Sequence, residues 1–71
     1  MYHLMLCEQD DQTAYEEKGS GTLALREGDR VEYPEAAKWY AVINVSWAIE
    51  KCPDGELRLA QKIHAVEAAS H

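Results

Sequence analysis

Residues 38–51, KWYAVINVSWAIEK, constrain the fold more than any other part of the chain. They contain both tryptophans, two of the three isoleucines and two of the four valines. Their apolar side chains recur with a period of two, which is typical of a half-buried strand. One predicted face consists of Trp39, Ala41, Ile43, Val45, Trp47 and Ile49. Because strands usually span about five or six residues, we expect a strand over residues 42–51 that twists or bulges.

The residues before this strand fit a second interpretation. Pro34 could occupy the first position of a helix, and Glu35, Ala36, Ala37 and Lys38 are good helix formers. Residues 34–40 therefore predict a short helical turn and an extended segment equally well.

Turn signals and short alternating runs divide the rest of the chain. Pro53-Asp54-Gly55 predicts a tight turn, because Pro presets φ and Gly takes the left-handed conformation. This turn joins the central strand to residues 56–59 as a hairpin. Other short strands are predicted over residues 2–8, 22–26 and 30–33. Residues 8–21 are acidic and then glycine-rich, which predicts a surface loop.

The end of the chain is ambiguous between two conformations. Residues 60–70 fit a helix by composition and a strand by phase, and we favour a strand over 62–67 with a frayed tail at 68–71. Five or six extended segments predict one mainly β domain over residues 1–71, or an α+β domain with one short helix. The expected architecture is a small twisted antiparallel sheet or an SH3-like barrel.

Size and charge limit the function. A chain of 71 residues buries only about 60% of the surface that its unfolded form exposes. Such a domain has little room for a ligand pocket of about 300 Å³, so we expect a binding protein rather than an enzyme. Thirteen acidic residues against seven Lys and Arg give a net charge of −6. This balance argues against direct binding of nucleic acid and of anionic membranes.

No residue pattern predicts catalysis, a metal or a cofactor. The cysteines and histidines form neither a Cys-x-x-Cys nor a His-x-x-x-His pair, and Gly19-Ser20-Gly21 lacks the lysine of a phosphate-binding loop. The N-terminus lacks the basic region and long apolar run of a secretory signal. We therefore expect a cytoplasmic protein in which Cys7 and Cys52 are reduced thiols.

Two groups of residues are candidates for a binding surface. The first is an acidic face that could bind the basic groove of a partner or simply keep the protein soluble. Its members are Glu8, Asp10, Asp11, Glu16, Glu17, Glu27 and Asp29. The second group is aromatic, since Trp and Tyr are common at the energetic centres of interfaces. Its members are Trp39, Tyr40 and Trp47.

These observations predict a small regulator or inhibitor that works by protein–protein contact. A specific form is an anti-defence protein of a phage or mobile element, which presents a nucleic-acid-like acidic face to a protein with a basic surface. The first alternative is a homo-oligomeric small β-barrel with a ligand site or active site at the subunit interface. The second alternative is a structural subunit of a larger assembly.

Overall fold

The computed structural model describes residues 1–68, which form a single five-stranded sheet. The strands are β1 (Tyr2–Cys7), β2 (Thr13–Gly19), β3 (Arg30–Tyr33), β4 (Lys38–Lys51) and β5 (Leu57–Ala68). Their order across the sheet is β2-β1-β5-β4-β3. The sheet curls into a half-barrel, which confirms the mainly β class predicted from the sequence.

The β4–β5 hairpin forms the longest strand pair of the sheet, and it confirms the predicted turn. Gly55 has a φ of 88°, and its N–H donates to the carbonyl of Cys52 at 2.8 Å. β4 and β5 then pair antiparallel from Lys51 opposite Leu57 to Trp39 opposite Ala68. β5 also pairs with β1, and this pair runs parallel, whereas the other three pairs are antiparallel.

Two segments differ from the sequence prediction. The expected loop over residues 8–21 contains β2, because the apolar strand β1 offers an edge with which residues 13–19 pair. Charged side chains such as those of β2 are common on edge strands, where they discourage further pairing. The strand expected over residues 22–26 is irregular instead, and Leu23 and Leu25 pack against the core.

The two ambiguous segments are also resolved. Pro34–Ala36 forms one turn of 3₁₀ helix that ends at Ala37 in the left-handed conformation, with a φ of 54°. β4 begins immediately afterwards at Lys38. At the other end of the chain, β5 continues to Ala68. The frayed tail expected at 68–71 therefore falls on the last strand residue and on residues outside the described range.

A β-bulge in β4 changes which side chains face the core. The register shifts between Val42 and Asn44, opposite Ala65 and His64 of β5. Before the bulge, Tyr40 and Val42 are buried, instead of the Trp39 face that simple alternation predicted. After the bulge, Val45 packs on the core as expected. The buried core cluster consists of Leu4, Leu6, Tyr40, Val42, Ile63 and Ala65.

One buried amide holds the segment between β2 and β3 on this core. Gln61 is 3% exposed and is the only buried polar residue in the described part of the chain. Its Oε1 accepts a hydrogen bond from the Leu23 N–H at 2.7 Å, and its Nε2 donates to the Leu23 carbonyl at 2.9 Å. The side chain thus satisfies both backbone groups of Leu23, which would otherwise lose hydrogen bonds on burial.

Tyrosines connect the two edges of the half-barrel. The rings of Tyr15 on β2 and Tyr33 on β3 meet edge to face, with centroids 5.8 Å apart. The hydroxyl of Tyr15 donates to Glu17 at 2.6 Å, and the hydroxyl of Tyr2 donates to the same carboxylate. The hydrogen bonds from Tyr15 and Tyr2 lower the pKa of Glu17, because they stabilise its charged form.

Candidate protein-binding surface

The β4–β5 hairpin extends beyond the rest of the sheet. β3 pairs only with residues 38–41 of β4, and β1 pairs with residues 61–66 of β5. The remaining part of the hairpin has no strand beside it in the described chain. The molecule is accordingly elongated, with extents of 41 × 19 × 19 Å.

One face of this extension is apolar and exposed. Trp47 and Leu59 are each 52% exposed, Ile49 is 65% exposed and Leu57 is 69% exposed. The register places Trp47 opposite Gln61 and Ile49 opposite Leu59, so these side chains share the face that carries the core further along the same strands. We call Trp47, Ile49, Leu57 and Leu59 the hairpin face. It continues the core face of the sheet past the point where other elements cover it.

The charges of the hairpin as a whole cancel. Residues 50–62 contain three acidic and three basic residues, whereas the other residues carry ten acidic and four basic ones. The Lys62 ammonium lies 2.7 Å from the Glu50 carboxylate, and the hydrogen bond from Lys62 lowers the pKa of Glu50. Arg58 lies 3.2 Å from Glu56 and 3.4 Å from Asp54. The hairpin is therefore a locally neutral surface on an acidic protein.

The predicted acidic residues are distributed over several elements. Glu8, Asp10 and Asp11 lie together in the turn between β1 and β2, where the Asp11 N–H donates to the Glu8 carbonyl at 2.9 Å. Glu8 accepts a hydrogen bond from Lys38 at 2.9 Å, and this bond raises the pKa of Lys38. Asp10 accepts a hydrogen bond from the Gln12 N–H.

The other four acidic residues lie apart from that turn. Glu16 and Glu17 are consecutive in β2 and point to opposite faces, where Glu16 contacts His3 and Glu17 binds tyrosine hydroxyls. Glu27 and Asp29 belong to the segment before β3. Asp29 accepts a hydrogen bond from the Arg26 N–H at 2.9 Å, so it also stabilises a turn.

The three predicted aromatic residues have different environments. Trp39 is partly buried, and Trp47 is exposed on the hairpin face. Tyr40 is fully buried in the core, and its hydroxyl has no hydrogen-bond partner among the described residues. Burial raises the pKa of Tyr40, because the phenolate would be poorly solvated there.

Three members of the hairpin face were not predicted as site residues. Ile49, Leu57 and Leu59 were assigned to strands, and their alternation with charged residues indicates a strand with one apolar face. That pattern is the same for a buried and an exposed apolar face. The distinction depends on where the neighbouring strands end.

The described residues contain neither a metal-binding cluster nor a disulfide. Residues 1–68 contain no cluster of three or more His, Cys, Asp or Glu side chains able to hold a metal ion. Cys7 is buried at the end of β1, Cys52 lies in the hairpin turn, and the two thiols are not bonded to each other. A hollow of about 230 Å³ lies between Tyr15, Tyr33 and the core leucines. This hollow is smaller than most sites for drug-sized ligands, which occupy about 300–1,000 Å³. A shallow depression of about 420 Å³ lies beside Met1, Lys18 and Arg58.

The described part of the chain includes no helix with the length and apolar character needed to cross a membrane. Comparisons with family models, curated proteins and solved structures found no match to this chain.

Proposed function

We propose that the protein acts by binding another protein and that the hairpin face is its contact surface. The observation that carries this proposal is the exposure of four large apolar side chains, each at least half exposed, on one side of a projecting hairpin. Contiguous apolar surface rimmed by polar residues is typical of interaction sites in soluble proteins. The paired charges of Glu50 with Lys62 and of Arg58 with Glu56 alternate with the apolar residues and keep the opposite side of the hairpin polar.

The hairpin face has the composition of an interface centre. A Trp surrounded by aliphatic side chains can fill a pocket on a partner, and Trp is among the residues that contribute most to binding energy. Ile49 and Leu57 are about two-thirds exposed. Completing the burial of either side chain would contribute about 1–2 kcal/mol, which is enough for a few such residues to support a specific complex.

The acidic remainder of the chain supports a partner with a basic surface. Opposite charges accelerate association and select among partners even where they add little affinity. A small regulator or inhibitor of a nucleic-acid-binding enzyme, such as an anti-defence protein of a phage or mobile element, fits this combination. That specific role is supported by the size and the charge of the chain.

The test uses a partner captured from the native host, identified by mass spectrometry, purified and titrated by calorimetry. The variant with Leu57→Ser and Leu59→Ser should raise the Kd at least about 30-fold, the loss expected from removing an interface centre. The matched control carries Asp10→Asn and Asp11→Asn, which lie in another exposed turn. This control variant should retain most of the affinity for the partner, and its affinity should depend less on salt concentration.

Urea unfolding of both variants checks that each remains folded, which is expected because the replaced side chains are exposed. Unchanged affinity of the Leu57 and Leu59 variant would refute the hairpin face as the contact. Loss of binding in the Asp10 and Asp11 variant alone would assign the contact to the acidic turn instead.

A further inference from the structure

The outer edge of β4 lacks a neighbour along most of its length. β3 pairs with residues 38–41, and Val42 exchanges backbone hydrogen bonds with Gly28 and Asp29 at 2.9 and 2.8 Å. From residue 43 to residue 51, this edge has no backbone partner within residues 1–68. A long free edge is a template for another strand, and soluble proteins usually shorten such edges or place charges along them.

The sequence of this edge offers little of that protection. Residues 44–49 are uncharged, and the charged residues Glu50 and Lys51 occur only at its end. By contrast, the other long edge strand, β2, carries three consecutive charged residues at positions 16–18. The free edge of β4 therefore remains competent to pair.

The same edge is complementary to itself. In an antiparallel pair centred on Trp47, each copy would place Val45 opposite Ile49 of the other, and Ser46 opposite Ala48. Asn44 would lie opposite Glu50, so that its amide could donate to that carboxylate. The two Trp47 side chains would meet at the twofold axis. No position in this register sets like charges opposite each other, and aromatic and aliphatic cross-strand pairs stabilise antiparallel sheets.

Charge also favours this location for contact between two copies. Each copy carries a net charge of −6, so most of its surface would repel a second copy. Residues 50–62 contain equal numbers of acidic and basic residues. The hairpin is thus a part of the described surface that two identical chains can bring together without juxtaposing net negative charge.

We propose that a second copy of this chain pairs with the protein along β4, antiparallel and centred on Trp47, to form one continuous sheet. Closed twofold contacts of this kind are the commonest form of protein self-association. Because the proposal uses the same hairpin, it rests on the proposed function. Pairing would place the hairpin faces of the two copies side by side as one wider apolar surface for the partner protein.

The first test is sedimentation equilibrium of the purified chain at physiological salt. It includes two variants, one with a substitution on β4 and one with a substitution on β5. Ile49 on β4 and Leu57 on β5 have nearly equal exposure, 65% and 69%, on the same face. Only Ile49 lies on the pairing edge. We expect a dimer in which Ile49→Lys raises the Kd of dimerisation at least about tenfold and Leu57→Lys changes it less than about threefold, since central contacts dominate such interfaces.

The second test determines the register. A nitroxide label is placed at Ser46 or, as a control, at Glu56, each in a Cys52→Ser background. Paired strands lie about 4.8 Å apart with a rise of about 3.4 Å per residue. Two labels at position 46 would then be close enough to broaden each other's spectra, whereas labels at position 56, in the two distant turns, would not.

The outcomes separate this inference from the proposed function. A chain that stays monomeric at millimolar concentration, or broadening at position 56 instead of 46, overturns the β4 pairing. Equal weakening by both lysine substitutions overturns it as well, in favour of face-to-face packing of the hairpins. In each of these cases the calorimetric titration of the partner protein still decides the proposed function independently.

Discussion

Replacing Gln61 by Met tests the claim that a single buried amide holds the segment between β2 and β3 in place. Met preserves the length of the side chain and removes both hydrogen bonds to Leu23, at 2.7 and 2.9 Å. A buried backbone group left without its partner costs about 1–3 kcal/mol. Leu23 is only partly buried, so water can reach its backbone groups and the cost for each lies near the lower end of this range. The loss of both hydrogen bonds should therefore cost about 2 kcal/mol in total.

That loss is large for this chain. A domain of 71 residues has a free energy of unfolding of about 4–10 kcal/mol. For this size, each kcal/mol lowers the Tm by about 4–8 °C, so Gln61→Met should lower it by about 8–16 °C. Urea unfolding followed by tryptophan fluorescence gives the free energy, and hydrogen exchange of the Leu23 amide tests whether the segment is released. Exposed Gln9→Met is the control and should change stability by less than about 0.5 kcal/mol.

Gln61→Glu refines the test through pH. A protonated carboxyl at this position can accept from the Leu23 N–H and donate to its carbonyl, whereas a carboxylate can only accept. Burial and the facing carbonyl should raise the pKa of the introduced group in the folded state. Its favourable contribution is then present below the unfolded pKa of about 4.3 and is lost as pH rises through the folded value. A change of about 0.5 kcal/mol in the free energy of unfolding is the size of an ordinary surface effect. If Gln61→Met changes that free energy by no more than this, and the Leu23 amide keeps its protection from exchange, the reasoning is refuted.

Three further predictions concern the tyrosines. An added Cβ at Gly19 would lie 2.5 Å from the Tyr2 ring, so Gly19→Ala should lower the free energy of unfolding by about 1–3 kcal/mol. In a double-mutant cycle, the same substitution should cost much less in a Tyr2→Ala background. Tyr40→Phe should leave the urea midpoint unchanged or raised, because the hydroxyl that it removes has no hydrogen-bond partner within residues 1–68; a clear fall in the midpoint would contradict this prediction. Replacing Tyr2 and Tyr15 by Phe should return the pKa of Glu17 towards 4.5, as measured by NMR titration. The lowered pKa of Glu17 stabilises the folded state at pH values above the pKa that this group has in the unfolded chain, and the contribution is lost as pH falls through the folded pKa. The double variant should therefore lose less stability on acidification than the parent.

Local signals made the hairpin predictable from the sequence. The Pro53-Asp54-Gly55 turn and the alternation of residues 42–51 act within a few residues of each other, and both predictions are confirmed. β2 was missed because its strand conformation comes from pairing with β1, while its own residues are mostly polar. The predicted core face was wrong before the bulge, because nothing local in the sequence marks residue 43 as the extra residue.

The candidate site was predictable in part for a similar reason. The sequence identified Trp47 as an interface residue, and that role remains a prediction. It could not distinguish exposed Ile49, Leu57 and Leu59 from core residues, because their exposure depends on how far β1 and β3 extend. The contact of Gln61 with Leu23 joins positions 38 residues apart, and no pattern within either segment indicates it.

The parallel pairing of β1 with β5 has a consequence for the order in which the sheet forms. Residues 2–7 lie beside residues 61–66, so Leu4 and Leu6 are covered only after two segments far apart in the sequence have met. The β1–β2 and β4–β5 hairpins join neighbouring segments and can form early, whereas the centre of the sheet requires closure of the long loop between β1 and β5. Because chains dominated by such distant contacts fold slowly, amides of β1 should gain protection from hydrogen exchange later during refolding than amides near the β4–β5 turn.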